Sequence, residues 1–275
     1  MKDKKIIWVT DIHLNFLDKK ETEIFYEKIN KENPDILLIG GDMGDSNNVK
    51  NYLEEMSCKI NSKIYFVLGN HDFYFGSISE TKKEIIELSK GIEKLKFLDV
   101  ENPIDVTSKI GIIGQGGWAD GRYGNYDSSH VKLNDYKLIE ELNNLSKEER
   151  LQKLNKLGDE AAHSLENKLI NAFKKYDKVF CLTHVPPFKE SCWHEGKISD
   201  DNFLPHFSSK AIGDVMIKVM ESNPNSYLVV LCGHTHGSGK VKILNNLEVQ
   251  TGGAEYGKPK IQKVIDLSPH KHKII

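Results

Sequence analysis

Short apolar runs that each end in a polar cluster recur along the first half of the chain. Residues 6–9, 36–39 and 64–68 are three such runs, and their length is typical of buried strands. Between them, residues 22–30 and 49–56 carry apolar side chains at helical spacing. The order strand, helix, strand, helix, strand predicts a parallel sheet in this half of the molecule.

Further apolar runs follow in the second half of the chain, at residues 110–113, 179–182, 227–232, 241–244 and 247–250. Only Asn245 and Asn246 separate the last two runs, which predicts a tight hairpin and more antiparallel pairing in this half. We predict an α/β fold of two packed mixed β-sheets flanked by helices. Its polar clusters should lie at the carboxyl ends of strands, where open α/β sheets bind ligands.

A long segment between the two halves has a different character. Residues 114–130 are rich in glycine, aromatic and polar side chains, and residues 133–176 are charged with helical periodicity, including a capping box at Ser146 and Glu149. We interpret residues 115–176 as an inserted loop plus helices, a cap segment within a single domain that spans residues 1–275. The tail at residues 268–275 is expected to be frayed.

Composition narrows the classes of function. With 39% hydrophobic residues, 28% charged residues and a net charge of -2, the chain has no excess charge that would draw it onto nucleic acid or membrane. Arg122 and Arg150 are the only arginines, so few side chains are available to bind a phosphate through two parallel hydrogen bonds. Four cysteines without a CxxC pair predict reduced thiols, and no apolar run is long enough for a secretion signal or a membrane span. These features predict a cytoplasmic location.

Five polar clusters each follow a predicted strand. They are Asp11-Ile12-His13, Gly41-Asp42-Met43-Gly44-Asp45, Gly69-Asn70-His71-Asp72, Thr183-His184 and Gly233-His234-Thr235-His236. One such cluster is more often a turn or a helix cap. Five in succession favour a metal centre, and a mixed set of carboxylate, amide and imidazole ligands suits a transition-metal pair better than calcium or magnesium. Alternate residues on a strand point to opposite faces, but in a loop just past the strand they are able to converge.

The clusters resemble the motifs of the calcineurin-like metallophosphoesterase superfamily, which are DxH, GDxxD, GNH[DE], a lone histidine and GHxH in this order. The resemblance covers roughly residues 6–114 and 178–252. It implies two divalent or trivalent transition-metal ions, Mn, Fe or Zn, and seven ligands: Asp11, His13 and His236 for one ion, Asn70, His184 and His234 for the other, and Asp42 as the bridge.

The resemblance also implies catalytic roles for His71 and Asp45. His71 matches the histidine that protonates the leaving alkoxide or steadies a phosphoryl oxygen, and Asp45 matches the acid that orients it. Asp72 is expected to fix the loop or to orient a metal ligand, without contacting a metal itself. Ser46 stands where the Ser/Thr protein phosphatase branch has an arginine, which disfavours a phosphoprotein phosphatase.

Candidate substrate contacts lie in two loops near the motifs. Aromatic rings with an arginine suit a base or sugar and a second phosphate. Four residues are candidates on this ground: Trp118, Arg122, Tyr126 and His194. Ordinary loop packing is the alternative for the aromatic side chains. Gly121 and Gly124 allow a tight backbone turn around Arg122, which could direct this side chain toward the site.

The sequence therefore predicts a dinuclear metal-dependent hydrolase of a small phosphomonoester or phosphodiester, with a metal-bridging hydroxide as the nucleophile. A nuclease acting on DNA or RNA is the rival enzyme, but the chain has no basic stripe. A non-catalytic metal-binding scaffold is the rival from another class, and every motif position is filled. A regulator that binds a partner through the helices of residues 133–176 also stays open. The expected partner is the small substrate, and binding to a membrane or to nucleic acid is not expected. The preference for monoesters or diesters and the oligomeric state stay open.

Overall fold

A computed structural model describes residues 4–267. Its strands are, in chain order, β1 (Lys5–Val9), β2 (Ile36–Ile39), β3 (Lys63–Phe66), β4 (Leu95–Phe97), β5 (Ile104–Asp105), β6 (Ile110–Gly114), β7 (Lys178–Leu182), β8 (Trp193–His194), β9 (Lys197–Ile198), β10 (Tyr227–Cys232), β11 (Gly239–Leu244), β12 (Leu247–Thr251) and β13 (Lys263–Asp266). Its α-helices are α1 (Lys19–Lys31), α2 (Val49–Lys59), α3 (Ile78–Gly91), α4 (Asp135–Leu138), α5 (Lys147–Phe173), α6 (Leu204–Phe207) and α7 (Lys210–Glu221). Short 3-10 turns occur at Leu14–Phe16, His71–Phe73, Glu140–Leu142 and Lys189–Ser191.

The strands form two mixed sheets, which confirms the predicted fold class. The first sheet has the order β13-β1-β2-β3-β4 and the second the order β11-β12-β10-β7-β6-β5, while β8 and β9 form a separate ribbon. In both sheets the central strands run parallel, and the antiparallel pairs involve the edge strands β13, β5 and β11. The second half is therefore less antiparallel than predicted. Helices α5 and α7 cross over between β6, β7 and β10, and such connections produce parallel pairs.

Apolar side chains fill the space between the two sheets and cover both outer faces. Between the sheets, Ile6, Trp8 and Leu38 of the first sheet pack in one cluster with Phe180 and Leu231 of the second. A second cluster lies between the first sheet and helices α1 to α3, and a third between the second sheet and helices α5 and α7. Since both faces of the central strands are buried, their sequences are continuous apolar runs instead of alternating ones.

Helix α5 is the longest element of the segment at residues 115–176, and it belongs to the helical layer that flanks the sheets. It begins with the predicted capping box between Ser146 and Glu149. Leu154 joins the cluster beneath the first sheet, while Leu165 and Leu169 join the cluster beneath the second. Among residues 4–267, no helix combines the length and the apolar character needed to cross a bilayer.

Two smaller predictions have different outcomes. The hairpin at Asn245 and Asn246 is confirmed, since β11 and β12 pair in antiparallel fashion and only these two residues connect them. The predicted fraying of the tail falls on residues 268–275, which lie outside the described part of the chain.

Lys168 of helix α5 links the ends of the two sheets. Its ammonium donates hydrogen bonds to the carbonyl oxygens of Leu98 and Asp99, just after β4, and of Gly114, at the end of β6. Burial lowers the pKa of Lys168, although the nearby Asp99 carboxylate opposes this effect. The side chain therefore gives three carbonyl groups a common donor.

We expect Lys168→Met to lower the free energy of unfolding by about 3 kcal/mol, because an isosteric apolar chain leaves these carbonyls without a donor. Urea denaturation followed by circular dichroism measures the change. The control is Lys156→Met on the same helix, where the side chain is 72% exposed and pairs with Glu160. A loss for Lys168→Met no greater than for the control would contradict the role of Lys168.

Candidate metal centre

The seven predicted ligands lie just beyond the carboxyl ends of five central strands. Asp11 and His13 follow β1, Asp42 follows β2, Asn70 follows β3, His184 follows β7, and His234 and His236 follow β10. Three of these strands belong to the first sheet and two to the second. The candidate site is therefore assembled from both sheets, at the strand ends where the sequence analysis expects it.

Several of these residues have a left-handed backbone, which is uncommon outside glycine. Five of the seven have a positive φ angle: Asp11 (50°), His13 (40°), Asp42 (54°), His234 (71°) and His236 (59°). Such conformations cost free energy and persist where the surrounding structure imposes them, often at functional sites. Here the left-handed turns let residues two apart in sequence point toward one centre, so Asp11 converges with His13 and His234 with His236.

The first group of converging side chains consists of Asp11, His13, Asp42 and His236. Each offers one ligand atom, and these atoms all lie within 4.8 Å of one another. The Nε2 atom of His236 lies 3.2 Å from His13 Nε2 and 3.5 Å from Asp11 Oδ1. Ligand atoms about 2.1 Å from one ion lie about 3.0–3.4 Å apart, so this spacing fits a shared metal ion.

The protonation state of His13 also suits a metal ligand. Burial lowers the pKa of His13 to about 3, although the nearby Asp42 carboxylate opposes this effect. The imidazole is therefore neutral at physiological pH, which is the form that coordinates metals.

The second group consists of Asn70, His184 and His234. The Asn70 Oδ1 atom lies 3.0 Å from His184 Nε2 and 2.9 Å from His234 Nδ1. The other ring nitrogen of each histidine faces a backbone carbonyl: His184 Nδ1 lies 2.8 Å from the oxygen of Gly40, and His234 Nε2 lies 3.2 Å from that of His206. A carbonyl group only accepts hydrogen bonds, so when the two rings are neutral, the form that coordinates a metal, these nitrogens carry their protons. Three lone pairs then face one another without a donor, an arrangement that a cation satisfies.

Asp42 lies between the two groups. Its Oδ2 atom is 3.9 Å from His13 Nε2 and 3.4 Å from His184 Nε2. Burial lowers the pKa of His184, but the carboxylates of Asp42 and Asp11 outweigh burial and raise it to about 10. The site thus favours positive charge beside His184, whether the charge is a proton or a metal ion. By its donor atoms and its charge, this set of residues fits transition-metal ions.

Asp72 holds the loop that carries Asp42. Its carboxylate accepts hydrogen bonds from four backbone N–H groups, those of Asp42 (2.9 Å), Met43 (2.8 Å), Gly44 (3.0 Å) and Gly69 (2.9 Å). Asp72 therefore ties the loops after β2 and β3 together without facing the ligand atoms, as the sequence analysis expects.

Asp135 and Tyr74 orient Asn70, and neither residue is among those predicted from the sequence. The buried Asp135 Oδ1 atom accepts hydrogen bonds from Asn70 Nδ2 (2.9 Å) and from the Tyr74 hydroxyl (2.6 Å). Because a carboxylate only accepts, the amide nitrogen of Asn70 turns toward Asp135 and the amide oxygen toward the histidines. An isolated acidic residue at the start of a short helix, here α4, carries no signal that distinguishes it from an ordinary polar position.

We expect Asp135→Ala to weaken metal binding about 10- to 100-fold, the usual effect of losing a group that orients a ligand. The amide of Asn70 would then be free to rotate and to present its nitrogen to the histidines. Titration against a competing chelator measures the affinity. Asp135→Asn is the matched control, because it keeps an oxygen that accepts from Asn70 and should lose less affinity. Wild-type affinity in the alanine variant would refute the orienting role.

The structure brings His71 to the ligand groups but does not join it to Asp45. The His71 ring stacks on Tyr74, with centroids 4.3 Å apart, and lies edge-on to His13 at 4.7 Å. Its backbone N–H donates to Asp42 Oδ1 (2.9 Å). The Asp45 carboxylate accepts from the backbone of Asn47 (2.9 Å), and within residues 4–267 no hydrogen bond links Asp45 to His71. Asp45 lies in the turn four residues before the start of α2, and its side chain stabilises that turn. Tyr74 supports the His71 ring instead.

Three of the four candidate substrate contacts belong to the 115–176 segment and contact residues other than the candidate ligands. Trp118 is buried and its ring packs against Phe73 at 5.9 Å. Tyr126 is also buried, with its ring 5.4 Å from that of His206. Their described ring contacts and hydrogen bonds include none of the seven candidate ligands, which matches the alternative of loop packing.

Arg122 forms ion pairs with two carboxylates of its own segment, Asp120 at 3.2 Å and Asp159 at 2.8 Å. The guanidinium is thus neutralised locally and does not pair with the candidate ligands. His194 is placed differently, because its Nδ1 atom lies 3.1 Å from the carbonyl oxygen of Thr235, the residue between His234 and His236. Of the four candidates, His194 is the one held against the ligand loop.

Comparison with known proteins gives relatives by sequence and by fold. The chain is 36% identical over 111 residues to an uncharacterized metallophosphoesterase of Campylobacter jejuni, covering 37% of this chain and 27% of that protein. It is 37% identical over 79 residues to one of Helicobacter pylori, covering 27% of this chain and 21% of that protein. The chain therefore aligns with about a quarter of the length of these relatives.

Solved structures share the fold at low sequence identity. Phosphopantetheinyl hydrolase from Mycobacterium tuberculosis superposes with a TM-score of 0.70 at 11% identity and covers 99% of both chains. A dimetal phosphatase from Danio rerio has a TM-score of 0.57 at 12% identity, covering 91% of this chain and 87% of that one.

The sequence profile of the family described as calcineurin-like phosphoesterase matches residues 4–238, a range that contains all seven candidate ligands. The match spans most of the chain, and the fold and the ordered ligand clusters agree with it. The chain belongs to the calcineurin-like phosphoesterase family.

Proposed function

We propose that this protein hydrolyses small phosphate esters and uses two transition-metal ions. The observation that carries the proposal is the position of Asp42, whose Oδ2 atom lies 3.9 Å from His13 Nε2 in one ligand group and 3.4 Å from His184 Nε2 in the other. One ion would be held by Asp11, His13 and His236 and the other by Asn70, His184 and His234, with Asp42 shared. When bound, such a pair supplies Lewis acidity toward the phosphoryl group and activates water as the nucleophile.

His71 is the group best placed to act on the leaving oxygen. Its backbone is tied to Asp42, and its ring is fixed between Tyr74 and His13. An alkoxide leaves poorly unless it is protonated, and a positioned imidazole is a common proton donor. We assign this role to His71, with Tyr74 setting the plane of its ring.

The charge distribution favours a small substrate over a polymer. The net charge is -2, Ser46 replaces the arginine of the phosphoprotein phosphatase branch, and Arg122 is paired with Asp120 and Asp159. Polymeric nucleic acid binds mainly through basic residues that neutralise its phosphates. A nuclease therefore ranks below a hydrolase of small esters, and the proposed cytoplasmic location suits such a substrate.

The test is a hydrolysis panel on protein that has been stripped of metal and reloaded with Mn, Fe or Zn. Its substrates are a nitrophenyl monophosphate, a bis-nitrophenyl phosphate, cyclic nucleotides and single-stranded DNA. We expect metal-dependent turnover of a small ester with about two ions per chain. Hydrolysis of DNA alone would favour the nuclease, and no turnover with any metal despite two bound ions would overturn the proposal.

A further inference from the structure

Two solvent-exposed aromatic rings stand beside the candidate ligands. The Tyr256 ring centroid lies 4.6 Å from that of His13 and 5.0 Å from that of His236. Phe16 contacts Tyr256 at 4.7 Å and His13 at 6.1 Å. Tyr256 is 46% exposed and Phe16 is 53% exposed, so a large part of each ring is open to solvent. We call Phe16 and Tyr256 the aromatic rim.

Backbone contacts hold the Tyr256 side of the rim against the metal centre. Tyr256 belongs to the connection between β12 and β13, in which the Ala254 N–H donates to the carbonyl oxygen of His236 (3.1 Å). The Gln262 side chain bonds both the N–H (3.2 Å) and the carbonyl oxygen (2.8 Å) of Gly253. The connection is therefore fixed to a candidate metal ligand, and the Tyr256 ring is positioned with it.

Phe16 is fixed in a similar way from the other side of the rim. It ends the 3-10 turn at Leu14–Phe16, and its N–H donates to the carbonyl oxygen of His13 (3.0 Å). Both rings are thus connected directly to loops that carry candidate ligands. A surface with its geometry fixed in advance binds a rigid group with little loss of conformational entropy.

The rim also lies near the residue assigned to the leaving group. The centroid of Tyr256 is 6.2 Å from that of His71, which we propose donates a proton to the departing oxygen. At this separation, a leaving group that extends from that oxygen toward solvent would come within reach of the exposed rings of the rim. Planar aromatic rings are the groups that gain most from contact with exposed aromatic faces.

We propose that the aromatic rim binds a planar aromatic ring in the leaving group of the ester, so that the enzyme prefers nucleoside or aryl phosphates to phosphates of simple sugars and alcohols. This inference rests on the proposed hydrolase function. The preference arises from contact of the leaving group with Phe16 and Tyr256, because stacking on an aromatic side chain stabilises any flat ring largely irrespective of its hydrogen-bonding groups.

The main test compares adenosine 5′-monophosphate with ribose 5-phosphate, which share the same primary alkoxide leaving oxygen and differ in the base. We expect the nucleotide to have a kcat/KM about tenfold higher in the wild type, in line with base stacking on aromatic side chains. In the double variant Phe16→Leu/Tyr256→Leu the ratio should fall to about one, whereas Tyr256→Phe should keep it, since only the hydroxyl is lost.

A matched control comes from Phe75, which is 61% exposed and outside the rim. Phe75→Leu removes an exposed aromatic ring and should leave the ratio unchanged. A second substrate pair, 2-naphthyl phosphate and phenyl phosphate, distinguishes an aryl substrate from a nucleoside, because the leaving phenols have similar acidity and differ mainly in ring size.

A readout without turnover comes from NMR of adenosine, the product nucleoside, titrated into zinc-loaded protein. We expect upfield ring-current shifts of the base protons with wild type and their loss in the double leucine variant. Equal kcat/KM for both members of each substrate pair, or a preference that survives in the double variant, would overturn the inference and leave the hydrolase function standing. If the metal-loaded protein hydrolysed none of the esters in the hydrolysis panel, the proposed hydrolase function would be overturned instead.

Discussion

Asp42→Asn is expected to abolish metal binding and turnover together. Asp42 Oδ1 accepts from the His71 N–H (2.9 Å), while Oδ2 faces His13 and His184. An asparagine must place its NH2 group at one of these positions. In one orientation this NH2 group faces the His71 N–H, which is also a donor. In the other orientation it faces His13 and His184, where the cation would bind. Neither orientation reproduces the site.

The negative charge of Asp42 is lost in both orientations. Although burial opposes ionisation, His184 and His71 hold the pKa of Asp42 well below its ordinary value, so the wild-type site contains a carboxylate at neutral pH. Losing a group that only orients a metal ligand lowers activity by up to about 100-fold. Asp42 is itself a candidate ligand, so we expect kcat to fall by more than about 100-fold. Elemental analysis and the hydrolysis panel measure metal content and turnover on the same sample.

The control for this variant is Asp214→Asn, which removes an exposed carboxylate that pairs with Lys210 on α7. It should keep wild-type metal content and activity. Two ions per chain with full activity in Asp42→Asn would show that Asp42 does not bridge the two ligand groups.

His71→Ala is expected to separate chemistry from metal binding. The His71 ring is not one of the seven candidate ligands, so the variant should keep its ions. Turnover of an ester with an alkoxide leaving group should fall about 10²- to 10⁴-fold, the usual contribution of a general acid. A nitrophenyl ester should lose much less, because nitrophenolate departs without a proton.

His163→Ala provides the matched control, since His163 is an exposed histidine on α5 that contacts Asn167. The measurement is kcat for the alkyl and nitrophenyl esters in parallel, with metal content determined for each protein. An equal loss on both esters would assign His71 to binding of the phosphoryl group instead of protonation of the leaving oxygen. Full activity on the alkyl ester would remove His71 from the mechanism.

The amino-acid sequence by itself determined the presence of two packed sheets and the positions of the candidate ligands along the chain, but not the parallel pairing of the central strands in the second half. Residues 6–9 and 36–39 are readable as buried strands because burial on both faces requires continuous apolar side chains. The motifs are also recognisable from the sequence, because each consists of a few adjacent residues that follow a strand. The hairpin at Asn245 and the capping box at Ser146 were predictable for the same reason.

The tertiary structure alone decided how those residues meet. Asn70 is oriented by Asp135, which lies 65 positions away in the sequence. The rim joins Phe16 to Tyr256 from opposite ends of the chain. Asp159 helps to neutralise Arg122, a residue that the sequence offered as a phosphate contact. A single polar or aromatic residue carries no local pattern, so its role depends on partners that only folding brings within hydrogen-bonding or ring-contact distance.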